Sequence, residues 1–120
     1  MNQTQREATI ELLTLAIYTD AHISLQEDAL LESTIATLGW ESVFPKQLFI
    51  EKAWVAARKA ADTAESTSAY VEQRASLFTT APDQTSLYSL VHQTLAADGV
   101  NADENSFLKL LNDSFPTPTL

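Results

Sequence analysis

Apolar positions recur along the chain at helical spacing. In the first segment, Thr4 to Thr19, Ile10, Leu13 and Ile17 form one stripe, and Leu12, Leu15 and Ala16 widen it. An apolar surface this broad predicts a central helix ending at Asp20. Leu31, Ile35 and Leu38 mark the buried face of a second helix, with Leu30 beside it and Gly39 where a left-handed residue closes a helix. Trp40 is expected to fold back onto the core. Pro45 fits the first turn of a third helix, whose buried side is read as Leu48, Phe49, Ala53, Trp54 and Ala57. Its small residues (Ala53, Ala56, Ala57, Ala60, Ala61) allow close helix packing. The polar run from Asp62 to Ser68 predicts a break. Tyr70, Val71, Leu77 and Phe78 mark a fourth helix, and residues 79–82 a second break. A fifth helix, capped by Asp83 or a neighbour, carries Leu87, Leu90, Val91, Thr94 and Leu95. The last carries Phe107, Leu108, Leu110 and Leu111, and Pro116 and Pro118 end regular structure. Alternation never persists, so no strand is expected. The pattern predicts an all-α bundle of about six helices. It spans residues 1–120 as one domain, with a short disordered tail near 116–120.

One stretch is written twice. Asp20-Ala21-His22-Ile23-Ser24-Leu25-Gln26-Glu27 and Asp98-Gly99-Val100-Asn101-Ala102-Asp103-Glu104 each follow an apolar helical run. Each opens with an Asp, turns, offers a helix-capping residue (Ser24, Asn101) and places a Glu three residues later. The architecture expected is two helix–acidic turn–helix units joined by a helical spacer.

Two readings of these turns compete. A Glu three residues after a cap accepts a hydrogen bond from the cap's N–H and favours the helix dipole. Capping therefore explains Glu27 and Glu104. It does not require an Asp at the preceding helix exit, where the dipole disfavours an anion. A turn-forming Asp explains Asp20 or Asp98 singly, and the matched pair less well. If the units pack about a pseudo-two-fold axis, Asp20, Glu27, Asp98 and Glu104 converge on one site. Two carboxylates about 5 Å apart repel by roughly 3 kcal/mol at an effective dielectric near 20. Four converging carboxylates must therefore bind a cation, take up protons or stay hydrated. Oxygen donors suit calcium, magnesium or manganese. Asp103 and His22 are weaker candidate ligands. Neither loop is an EF-hand: counted from Asp98 the third, fifth and twelfth positions are Val100, Ala102 and Lys109, and counted from Asp20 the twelfth is Leu31.

At these two turns the chain resembles the TerB-like family, the tellurite-resistance protein B group. That family's pattern is a helix, Asp-Gly, a variable residue, an apolar residue, a small polar cap and a Glu opening the next helix. Residues 97–104, followed by Phe107, Leu108 and Leu111, match it. Residues 20–27, followed by Leu31, Leu38 and Gly39, match in spacing, and the duplicated layout covers roughly residues 8 to 115. The resemblance implies an all-helical fold and a divalent-metal site that by position comprises Asp20, Glu27, Asp98 and Glu104. It also implies a link to stress and tellurite resistance. Two departures stand out. Ala21 replaces the usual Gly, and Asp98 to Glu104 is one residue shorter than Asp20 to Glu27, so that Asn105 holds the longer spacing.

Composition narrows the function. The net charge is −9, and the seven basic residues are scattered apart from Arg58-Lys59, which disfavours nucleic acid and anionic membranes as partners. The absence of Cys removes disulfides, zinc ribbons and thiol reduction of tellurite, and fits a cytoplasmic protein. The N-terminus does not read as a signal peptide, and the run Leu12–Tyr18, interrupted by Thr14, is too short to span a bilayer. With two Gly there is no phosphate-cradling loop, and no catalytic set is recognisable, so the chain is not read as an enzyme. His92 is expected on the surface, and Trp40, Trp54, Phe49 and Phe107 in the core. The leading expectation is a TerB-like cation-binding sensor or scaffold. The alternative is a metal-free helical module that binds protein partners; a hydrolase built on the carboxylates comes third.

Overall fold

The computed structural model describes residues 2–19, 25–95 and 102–117, with the side chains of 25–30 and 102–104 excepted. Within them lie six helices: α1 (Gln3–Thr19), α2 (Leu25–Leu38), α3 (Lys46–Ala60), α4 (Ala64–Ala75), α5 (Ala81–Leu95) and α6 (Ala102–Ser114). No strand occurs among the described residues, and no helix is long and apolar enough to cross a membrane. The all-α bundle expected from the periodicity is the observed architecture.

Helix α1 is the axis of the bundle and packs against each of the other five helices. Six consecutive residues, Leu12 to Ile17, are buried. A helix buried all round must keep its own polar groups satisfied. The threonines on it do so by bonding backwards. Thr9 Oγ1 donates to the Gln5 carbonyl at 2.8 Å, and Thr14 Oγ1 donates to the Glu11 carbonyl at 2.9 Å. Thr14, which interrupts the apolar run in sequence, is thus part of the core. Around α1 stand Leu31, Ile35, Val71, Phe78, Leu87, Val91, Leu95, Phe107, Leu108 and Leu111.

The start of α1 is locked by two residues. Asn2 Oδ1 accepts from the Gln5 N–H at 2.8 Å, and the Gln5 side-chain oxygen accepts from the Asn2 N–H at 3.1 Å. This is a reciprocal cap with Gln in the place of Glu. The amide nitrogen of Gln5 reaches on to the Leu77 carbonyl (3.0 Å) and to Asp83 Oδ2 (3.3 Å). One buried side chain therefore ties the N-terminus of α1 to the connection between α4 and α5.

Helix α2 ends as its sequence predicts: Gly39 takes φ 81° directly after Leu38. Trp40 then packs against the core and tilts onto Phe49, with ring centroids 5.3 Å apart. Pro45 stands just before α3, and α3 lays Ala53, Ala57 and Ala60 against its neighbours. These alanines let the backbone of α3 approach α1, its most extensive partner.

Three expectations are corrected. Leu48 is not buried; it faces solvent on the side of α3 away from the alanines. The break at 62–68 is confined to residues 61–63, because the hydroxyl-rich run starts a helix. Thr63 Oγ1 accepts from the Ser66 N–H, Ser66 Oγ accepts from the Thr63 N–H, and the Ser66 and Thr67 hydroxyls also reach the last carbonyl of α3, Ala60. Ser and Thr are poor inside helices but supply the partners that helix ends lack. The second break lies earlier than expected, at residues 76–80. Thr80 caps α5 by accepting from the Asp83 N–H, and Pro82 sits in the first turn, where its missing N–H costs nothing. Leu77 and Phe78 fall just beyond α4, with Phe78 fully buried and Leu77 partly exposed.

Two substitutions test this frame. A Cβ built on Gly39 meets only the Arg6 side chain, at ordinary contact distance, so Gly39→Ala costs conformational energy alone. The expected loss is about 1 kcal/mol in chemical denaturation. Ala57→Leu, at a fully buried position of α3, forces α3 away from its neighbours and is expected to cost about 1–3 kcal/mol or more.

Candidate functional site

The two acidic turns sit in the connections from α1 to α2 and from α5 to α6. Asp20, His22 and Asp98 lie outside the described residues, as do the expected caps Ser24 and Asn101. Glu27, Asp103 and Glu104 lie on described helices, with side chains outside the described ones. The helix bounds nevertheless fix their register. Glu27 is the third residue of α2 (Leu25–Leu38), and Glu104 is the third residue of α6 (Ala102–Ser114). The two Glu residues are therefore equivalent in position.

The packing also bears on whether the turns approach each other. Thr19, the last residue of α1, lines a cleft of about 300 Å³ together with Ser106, Phe107 and Leu110 of α6 and Thr67 of α4. Ser106 is two residues past Glu104, roughly 3 Å along the helix axis. The C-terminal end of α1 therefore stands beside the N-terminal half of α6. Helix α2 packs on both α1 and α5, and α5 on α6. Helix α1, which leads into the first turn, also packs on both helices that flank the second, which sequence alone does not reveal.

Elsewhere, the described residues hold one partly buried charged cluster, between α1 and α4. Arg74 donates to Glu11 Oε2 at 3.0 Å, and the Tyr70 hydroxyl donates to the same oxygen at 3.3 Å. The Arg74 guanidinium also lies 3.5 Å from the centre of the Tyr70 ring. Burial, and then the negative charge of Glu11, push the Tyr70 hydroxyl up to about 12. The cluster is a polar tie across two packed helices: it satisfies a charge on each and leaves Tyr70 protonated as a donor. It holds no nucleophile beside a base. His92 is exposed and lies against Tyr88, as its surface placement predicts. Phe107 is buried, whereas Trp40, Phe49 and Trp54 are half-buried against the core. No group of three His, Asp or Glu among the described residues is placed to hold a metal ion.

The Tyr70 shift has a defined sign. A hydroxyl whose folded pKa is raised contributes stability that is complete below its unfolded value near 10 and is lost as pH rises through about 12. The stability of the native chain relative to Tyr70→Phe is therefore expected to fall between pH 10 and pH 12. Urea midpoints of the two proteins measured across that interval check this. A difference that stays constant would remove Tyr70 from the tie.

No family model matches the chain, and neither the curated proteins nor the solved structures hold a match to it.

Proposed function

We propose that this protein is a TerB-like binder of a divalent cation, a stress-related sensor or scaffold and not an enzyme. In this reading, Asp20, Glu27, Asp98 and Glu104 supply the oxygens, with Asp103 and His22 as secondary donors. One observation carries the proposal: Thr19, which immediately precedes Asp20, shares a cleft with Ser106 and Phe107, which closely follow Glu104. The matched register of Glu27 and Glu104 at the third position of their helices supports it.

The donor chemistry fits the ion. Carboxylates are hard ligands, and calcium, magnesium and manganese take oxygen donors. Acids at the N-terminal turns of α2 and α6 lie in a favourable dipole field, whereas Asp20, which follows the last residue of α1 in sequence, would not. A bound cation offsets that cost and the mutual repulsion of the four carboxylates. Ion occupancy would then alter how α1 and α6 are held at this end of the bundle, which is what a sensor or scaffold requires.

Calorimetric titration of chelator-treated protein with calcium, magnesium and manganese, each separately, tests the reading. Saturable binding of about one ion per chain is expected, because converging turns share an ion whereas independent turns would take two. Asp20→Asn with Asp98→Asn is expected to weaken binding by at least about tenfold while helix content is unchanged, since each Asn removes a charge and keeps the shape. Unchanged affinity in the double variant would reject the assigned ligands. No binding at millimolar ion would leave Glu27 and Glu104 as helix caps.

A further inference from the structure

Six large apolar side chains are exposed among the described residues, and four of them (Val43, Phe44, Leu48 and Val55) belong to α3 and the segment leading into it. Leu48 and Val55 are seven residues apart and share a helix face. That face is opposite the one that buries Ala53, Ala57 and Ala60. The lead-in is pinned. The Trp40 indole donates to the Phe44 carbonyl at 2.7 Å, and the Phe44 N–H donates to Ser42 Oγ at 3.1 Å. Phe44 is thus held out beside Leu48 by bonds on both sides of its peptide unit.

Two adjoining clefts begin on this face and continue round toward α4. One, of about 550 Å³, is lined by Phe44, Leu48, Glu51, Lys52 and Val55. The other, of about 880 Å³, lies between α3 and α4 and is lined by Ala60, Ala69, Tyr70 and Gln73. Ala56 and Lys59 line both, so the two make one trough. From Leu48 to Lys59 the trough follows α3 for about 16 Å, the length of three helical turns. Its floor of small residues allows another helix to lie close, and its large apolar residues form one wall.

Charge selects the occupant. Helix α3 carries four of the chain's seven basic residues (Lys46, Lys52, Arg58 and Lys59) against a single acid, Glu51. None of the four forms an ion pair among the described residues, whereas Arg6 and Arg74 are paired with Glu41 and Glu11. The α4 side of the trough is neutral to acidic, with Gln73, Ser66, Ser76 and Glu72. A two-fold pairing of α3 with α3 in a second copy would oppose lysines to lysines. An anionic bilayer would meet a chain of net charge −9.

We propose that this trough docks a short amphipathic α-helix of another protein. Its apolar residues, at i, i+4 and i+7, lie over the two clefts, and Asp or Glu residues run along the edge facing Lys52 and Lys59. The mode is helix-in-groove, and it needs no ion.

The test uses the full-length protein as bait for a displayed library of 18-residue helical peptides, apolar at i, i+4, i+7 and i+11 and randomised elsewhere. Selected peptides are expected to carry acids on one edge. By fluorescence anisotropy they are expected to bind Leu48→Glu and Val55→Glu at least about tenfold more weakly than the native chain. Lys52→Glu with Lys59→Glu is expected to weaken binding comparably, and peptides whose edge acids are changed to Lys should recover it. These side chains are exposed, so helix content and unfolding midpoint should match the native chain. No enrichment, or enriched peptides that bind the variants equally, would overturn the proposal. Two other results would also overturn it. A dimer in sedimentation that Val55→Glu disperses would assign the trough to a second copy. Binding to vesicles of phosphatidylserine that Val55→Glu abolishes would assign it to a lipid surface.

Discussion

The constraint on which the structure depends is that α1 is surrounded. A helix with Leu12 to Ile17 buried in unbroken succession has no solvent side in that stretch, so it cannot be placed by amphipathicity. Its position is fixed by the faces the other five helices turn toward it. Each of those buries a stripe: Leu31 and Ile35 on α2, the alanines on α3, Val71 and Ala75 on α4, Leu87 and Val91 on α5, Phe107 and Leu111 on α6. At about 1.5–3 kcal/mol per fully buried large side chain, this shared contact with α1 outweighs any single cap or ion pair in the molecule.

A central helix makes its two ends unequal. At the N-terminal end, Gln5 satisfies the Asn2 N–H, the Leu77 carbonyl and Asp83 together, and the Arg74–Glu11–Tyr70 tie lies further along the same helix. That end is held by specific, directional bonds. The C-terminal end instead meets α6 across a cleft lined by Thr19, Ser106, Phe107 and Leu110.

The features legible in the sequence were those decided locally. Gly39 closes α2 because only a residue without Cβ takes φ 81° cheaply, and Pro45 stands one residue before α3, at the cap and not in the first turn. The six helices follow from apolar spacing. The failures occurred where a local rule meets a neighbour. The hydroxyls at 63–67 read as helix-breaking until the Ala60 carbonyl supplies the partner that turns them into a cap. Leu48 reads as core because it is apolar and correctly spaced from Ala53 and Ala57 only within the tolerance of a broad stripe. Likewise, the repeated acidic turns announce themselves in composition, but the adjacency of Thr19 and Ser106 arises from how α1 and α6 pack, which no local pattern encodes.

Helix α3 makes that last point physically. Its fully buried positions are alanines, with Phe49, Ile50 and Trp54 half-buried beside them, while its outward face carries Leu48 and Val55. The alanines are required by close approach to α1: a larger residue at Ala57 would push the helices apart. The outward leucine and valine have no such reason, since polar residues would serve as well toward water. Burying Val43 against a partner returns roughly 1.5–3 kcal/mol, and Phe44, Leu48 and Val55, already about half-buried, return roughly half of that each, while association costs roughly 4–15 kcal/mol in lost freedom. The apolar gain alone is then barely sufficient, so a partner must add complementary charge at Lys52 and Lys59 to bind measurably. A surface balanced in this way releases its partner readily.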